Sequence, residues 1–333
     1  VGTHSATLEE VATLAGVSRS TVSRVINGSP SVSPNAKAAV EAAILKLHYV
    51  PNHAAKSLAS KRAGAVTALI PEGIGRFFRD PFFGTILSGI ESYLESTDTT
   101  LTILIASNAT KRKTAAYVAG GNADGVLVLS HHTSDEFVEM LEDKVPVVYG
   151  GRPLHGAATK YFIDTDNVGG ARMATEYLIS QGRKHIATVS GPLDMPSGED
   201  RLEGFLAALK DAGLEPGPIE AGDFTAVGGA EAMARVLERD RNIDGIFIAS
   251  DLMARAAIDV MKLEGIAVPE QIAVVGFDDS VMATEGQPQI TTVRQDSFEQ
   301  GRLMAQILME RLAGKNPDHV ITLPTTLVVR ESA

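Results

Sequence analysis

A chain of 333 residues, 44% hydrophobic and 21% charged, is long enough for two or three domains with ample buried core. No apolar run reaches the ~18 residues that span a bilayer, and the first residues lack the basic region and apolar stretch of a secretion signal, so a soluble cytoplasmic protein without a membrane partner is expected. There is no cysteine, which excludes disulfides, thiolate metal sites and cysteine nucleophiles.

The formal net charge of −11 argues against a nucleic-acid partner until it is divided along the chain. Residues 1–62 carry seven basic side chains against three acidic ones, net +4, leaving 23 against 38, or −15, for the rest. Phosphate affinity follows the local patch, because charges beyond a Debye length of ~8 Å are largely screened. Within this basic stretch, Thr7 and Glu10 have the spacing of a capping box, and Leu8, Val11, Ala12 and Ala15 share one helical face. Gly16-Val17-Ser18 suits a sharp turn, with Ser18 as the next N-cap. Val22, Val25 and Ile26 then recur at helical spacing, leaving Arg19, Ser20, Thr21, Ser23 and Arg24 outward. Such a helix can read the major groove, with Arg on guanine and Ser or Thr on phosphates. The alternative is an αα-hairpin inside an ordinary helical domain. Asn27-Gly28-Ser29-Pro30-Ser31 is a turn cluster. Ser33 and Pro34 open a third helix with Val40, Ala43, Ile44 and Leu47 inward, and Tyr49-Val50-Pro51-Asn52 closes the unit.

Residues 11–60, VATLAGVSRSTVSRVINGSPSVSPNAKAAVEAAILKLHYVPNHAAKSLAS, closely resemble the headpiece of the lactose/galactose repressor family of bacterial transcription regulators, and the resemblance continues more loosely to Arg330. It implies DNA contacts from Thr7, Ser18, Arg19, Ser20, Thr21, Ser23, Arg24, Asn27, Tyr49, Asn52 and Ala55. It also implies that residues 53–60 form a hinge helix, with Leu58 as the wedge that enters the minor groove and kinks the duplex. A helix this short is marginal alone in water, so a second protomer and DNA are needed to order it. A plain linker with a buried Leu is the alternative.

Beyond residue 65, strand patterns (66–71, 101–106, 125–129, 146–149, 185–190, 245–249, 272–277) alternate with helical ones (82–95, 134–141, 168–181, 201–212, 229–239, 252–264, 298–312). Alternation of this kind predicts parallel sheets covered by helices, and the length suggests two sheets. The expected architecture is therefore α/β: an all-α helix-turn-helix headpiece (1–51), a hinge and linker (52–62), and a core (63–333). The resemblance implies that this core is two-lobed, like the periplasmic sugar-binding proteins, with three crossovers near Phe162, Ile290 and Val320. Lobe 1 then holds about 63–162 and 291–320, and lobe 2 about 163–290 and 321–333. Ligand is expected at the strand carboxyl ends, in the cleft.

Phe82 and Phe83, in Asp80-Pro81-Phe82-Phe83, could stack on the apolar face of a sugar or on a flat base, or close the core at the helix start. Asp80 departs from the family's usual Asn. Arg201 matches the family's ligand-binding arginine, with a surface pair to Glu199 or Asp200 as the alternative. Asp278 matches its ligand carboxylate, Gln295 a polar pocket position and Phe224 an aromatic that covers the ligand. Ser250 and Asp251 replace the family's Asn-Asp, and fit either ligand binding or helix capping. His131 and His132 are ill suited to bind one metal together, because neighbours on extended backbone point apart; a solvated loop, or one His touching ligand, is expected.

Searches for catalytic motifs are negative: GxxxxGK[ST], HExxH and GxSxG are absent. Gly73-Ile74-Gly75 lacks a third glycine, and the acidic pairs Asp164/Asp166 and Asp278/Asp279 have no identifiable acid/base partner. The expectation is a homodimeric repressor without cofactor or metal, holding a palindromic operator and released by a mono- or oligosaccharide. A purine-like corepressor or a protein partner are variants, and a sugar- or nucleoside-processing enzyme with an accessory head is the other class.

Overall fold

The computed structural model describes residues 6–26, 29, 31–49, 62–107 and 109–333, and the chain divides into one unit over Val1–Ala63 and another over Gly64–Ala333. The expected contacts Asn27, Asn52, Ala55 and Leu58, and the hinge itself, lie outside the described residues.

In the first unit, helices Leu8–Ala15, Arg19–Ile26 and Pro34–Leu47 enclose a small core of Val11, Ala12, Val22, Val40, Ala43 and Tyr49. The capping box is formed, with the Glu10 N–H donating to Thr7 Oγ1 at 3.2 Å and the Thr7 N–H to Glu10 Oε2 at 2.7 Å. Gly16, at φ +67°, ends the first helix in the left-handed conformation that favours glycine. Ser33 caps the third helix and Pro34 takes its first position. Tyr49, expected to contact DNA, is 8% exposed and packs in this core.

The second unit holds two six-stranded sheets. The first has strand order β11-β5-β4-β3-β1-β2, from β1 (Ala65–Ile70), β2 (Thr100–Ile105), β3 (Gly125–Leu129), β4 (Val147–Gly150), β5 (Tyr161–Thr165) and β11 (Val320–Leu323), all parallel. The second has order β12-β10-β9-β8-β6-β7, from β6 (Ile186–Ser190), β7 (Ile219–Ala221), β8 (Gly245–Ile248), β9 (Ala273–Asp278), β10 (Thr291–Arg294) and the antiparallel edge strand β12 (Thr326–Val328). Helices cover both faces of each sheet, so the central strands are apolar on both sides: β3 and β8 are buried throughout.

The chain passes between the sheets after Thr165, after Arg294 and after Leu323, a few residues beyond the expected positions. Each crossing waits until its strand has run to its carboxyl end. Helices Pro81–Leu94 and Ser297–Leu312, more than 200 residues apart in sequence, cross on the first sheet. A Cβ on Gly301 would lie 2.0 Å from the Ile86 carbonyl oxygen, and one on Gly89 1.9 Å from that of Phe298, so only glycine permits this approach.

Candidate functional site

Carboxyl ends of strands from both sheets face a cleft that is partly open to solvent, the usual place for a small-molecule site in open α/β sheets. Arg76, Asp80, Phe82, Arg152 and Asp164 line it from the first lobe, and Arg201, Phe224, Ser250 and Asp278 from the second, with Gln295 at a crossing.

Arg201 is the hub. It is 5% exposed, and its guanidinium donates to Asn167 Oδ1 (2.9 Å), the Ala249 carbonyl (2.6 Å) and Asp278 Oδ1 (3.4 Å). It also lies over the Phe277 ring, 3.6 Å from the centroid. The alternative pairing with Glu199 or Asp200 is not made; Asp200 instead meets Arg152 of the other lobe. Gln295 Nε2 donates to Asp278 Oδ1 at 2.6 Å, while its Oε1 accepts from Thr165 Oγ1 at 3.1 Å. Burial pushes Asp278 well above the usual carboxylate range, against the lowering charge of Arg201, and pulls Arg201 down. Asp164 is pushed up to about 6, by burial first and by the charge of Asp200. Buried carboxylates of this kind gain from hydroxyl donors, which favour their ionised form.

Backbone strain gathers here. Of the five non-glycine residues at positive φ among the described residues, Ser130 (58°), Phe224 (59°) and Asp278 (114°) line the cleft, and Asp279 (54°) follows directly. Phe224 holds its place through Gly191, where a Cβ would come within 2.2 Å of the ring.

Two expected ligand residues are corrected. Phe83 is a core residue, 1% exposed; successive helical side chains diverge by about 100°, so Phe82 reaches the cleft while Phe83 faces the sheet. Asp251 is wholly buried outside the cleft lining and accepts from Thr292 Oγ1 (2.6 Å) and the Ser280 N–H (2.8 Å), which anchors the loop after Asp278. Ser250 caps its helix by accepting the Met253 N–H, and it also lines the cleft. Asp80 caps the helix that carries Phe82 and faces the cleft.

Arg76, Arg152, Asp164, Thr165 and Asn167 were not foreseen as cleft residues, Asp164 having been noted only as half of an acidic pair. The strand-end rule would have found the last four had β4 been extended to Gly150 and β5 recognised. His131 lines the cleft with its Nε2 3.2 Å from the Arg152 carbonyl. Burial pushes it down to about 4, so the ring is neutral. Among the described residues, no group of three or more His, Asp or Glu is placed to hold a metal ion, and no helix is long and apolar enough to cross a membrane.

In the headpiece, Ser18, Arg19, Ser20 and Arg24 are exposed, and Thr21 and Ser23 half-buried. Ser18 Oγ accepts the Thr21 N–H at 3.2 Å and bonds the Ser20 and Thr21 hydroxyls. Arg19 meets Glu9 at 2.9 Å on an open surface, a pair weak enough to be exchanged for a DNA contact. Thr7 is exposed beside the capping box.

Comparison with known proteins gives matches to two family models: bacterial regulatory proteins of the lacI family over residues 7–52, and a periplasmic binding protein-like domain over residues 175–333. The HTH-type transcriptional regulator CelR of Thermobifida fusca is 43% identical over 332 residues, 98% of each chain. The HTH-type transcriptional repressor PurR of Pectobacterium atrosepticum is 33% identical over 335 residues, 98% of this chain and 96% of that one. Among solved structures, a CelR–cellobiose complex superposes with TM-score 0.79 at 42% identity, covering 98% of this chain and 100% of that one. A lac repressor dimer bound to operator and the anti-inducer ONPF superposes with TM-score 0.87 at 25% identity, covering 98% and 99%.

Proposed function

Because the chain belongs to the lacI family of bacterial transcription regulators, a family of DNA-binding proteins and not of enzymes, we propose that it is a cytoplasmic homodimeric repressor of carbohydrate-utilisation genes, released from a near-palindromic operator by a small glucoside such as cellobiose. The observation that carries the sugar reading is the Arg201–Asp278–Gln295 cluster beside Phe224 and Phe82: charged and amide groups for hydroxyls, aromatic faces for the apolar side of a sugar ring. Similarity along nearly the whole chain to a regulator solved with cellobiose supports it. Dimerisation is supported by the short hinge pattern that needs a partner and by similarity to a lac repressor solved as a dimer on operator.

The mechanism follows from unequal affinity. Lining from both lobes means that a bound sugar favours one lobe arrangement. If that arrangement separates the paired hinges, Leu58 leaves the central base step and operator affinity falls. The test is operator selection with the full chain, followed by titration with cellobiose, monosaccharides and purine bases. Release by cellobiose is the expected result; tightening by a purine base would replace the inducer with a corepressor, and indifference to every sugar would reject the reading.

Two substitutions test the DNA side. Leu58→Ala is expected to lower affinity for the kinked operator while sparing non-specific binding, so an unchanged specific to non-specific ratio removes the wedge role. Arg24→Ala should weaken binding by roughly 1–3 kcal/mol where it reads a base. If it serves only a phosphate, the loss will instead be uniform across operator variants, with a shallower salt dependence.

A further inference from the structure

At the rim of the cleft a histidine lies between two carboxylates from different lobes. His132 follows β3 in the first lobe, next to the cleft-lining His131. Its Nε2 is 2.9 Å from Glu72 Oε1, at the exit of β1, and its Nδ1 is 2.9 Å from Asp194 Oδ2, in the loop after β6 of the second lobe. Met195, beside Asp194, lines the cleft. The Thr133 N–H also donates to the Asp194 carbonyl, at 3.0 Å. A neutral imidazole has one N–H and one bare nitrogen, whereas an ionised carboxylate only accepts. Both bonds can therefore form together only when the ring carries two protons.

We propose that His132 is a proton-operated latch between the lobes, a positioning residue that holds the cleft closed while it is an imidazolium bound to Glu72 and Asp194. The other charges around it fit this role. Arg76 bonds the same Glu72 oxygen at 2.6 Å, and Ser130 Oγ donates to it at 2.7 Å, so Glu72 stays ionised; burial raises its pKa, but His132, Arg76 and Ser130 outweigh that and lower it. Asp135, which accepts the His132 backbone N–H, is neutralised by Lys111 at 2.7 Å. Neighbouring His131 is neutral and adds no opposing charge. For His132 itself burial disfavours the charged ring, yet the bonds and charges of Glu72 and Asp194 prevail and raise its pKa. Glu72 stays beside the ring when the lobes part and only Asp194 leaves, so the share of the raised value that Asp194 supplies belongs to the closed arrangement. The latch is held while the ring keeps both protons, and closure weakens as pH rises through the raised value.

A consequence for regulation rests on the cleft being the effector site: a ligand touching both lobes binds more tightly on the acidic side. The latch itself is tested without any ligand. The chain has no cysteine, so a donor and an acceptor dye can be attached to the full-length protein at Lys113→Cys and Glu238→Cys, exposed positions in the two lobes, diluted with unlabelled chain so that each dimer carries one pair. Energy transfer between pH 6 and pH 9 is expected to report a shift to longer distance, with its midpoint above 6.5. His132→Gln and Asp194→Asn should each flatten the response, with thermal unfolding at both ends of the range confirming that they fold. A pH-invariant distance in the parent, or an undiminished response in both variants, overturns the latch and leaves the sugar reading untouched.

Discussion

Asp278→Asn is expected to lose about 100-fold in affinity for the effector, roughly 3 kcal/mol, while operator binding without effector stays within about twofold. The replacement keeps the side-chain volume, so no cavity forms. What changes is charge: the Arg201 guanidinium, already buried and sharing its donors among Asn167, Ala249 and Asp278, loses its opposing carboxylate. The Gln295 amide loses its charged acceptor as well. Truncating one partner of a buried pair leaves the other uncompensated, which costs more than the pair contributes when intact. The headpiece contains neither residue, so its DNA surface is untouched. Calorimetry with cellobiose and anisotropy with operator separate the two effects; a variant that still releases DNA at parental sugar concentration excludes Asp278 from the site.

Gly301→Val should destabilise the ligand-binding unit by about 3 kcal/mol, at the upper end of the range for overpacking, and lower the thermal midpoint by roughly 6–12 °C. Any Cβ at this position meets the Ile86 backbone oxygen, which cannot swing aside as a side chain can. The two helices must then separate, loosening Met304 and Leu308 from Ile86 and Ile90 on the first sheet. Position 84 in the same helix pair provides the control: a Cβ there meets nothing, so Gly84→Ala is expected to be neutral or to stabilise by up to about 1 kcal/mol. Equal losses from both substitutions would show that helix propensity, and not the close crossing, sets the effect. The crossing matters to function because one helix opens with Asp80 and Phe82 and the other begins two residues after Gln295.

By itself the sequence determined the three-helix head, the alternating α/β core and the strand ends that carry Ser250 and Asp278, while Arg201 and Phe224 were reached through the family resemblance. These rest on local signals: a capping box, a glycine turn, helical spacing, long apolar runs, and motifs that follow a strand directly. Tertiary structure decided what depends on distant partners. β7, β11 and β12 have three or four residues each, too few for a periodicity, and become strands only because a neighbouring edge accepts them. Phe82 and Phe83 have the same composition and capping context, and only the direction of the helix over its sheet separates ligand face from core. Asp251 and Asp278 both lie at the carboxyl ends of strands of the second sheet, but the hydroxyl of Thr292 claims one of them. Glu72, His132 and Asp194 lie about 60 residues apart from one to the next, so no spacing could reveal that one imidazole joins them; folding brings three loops to a single rim.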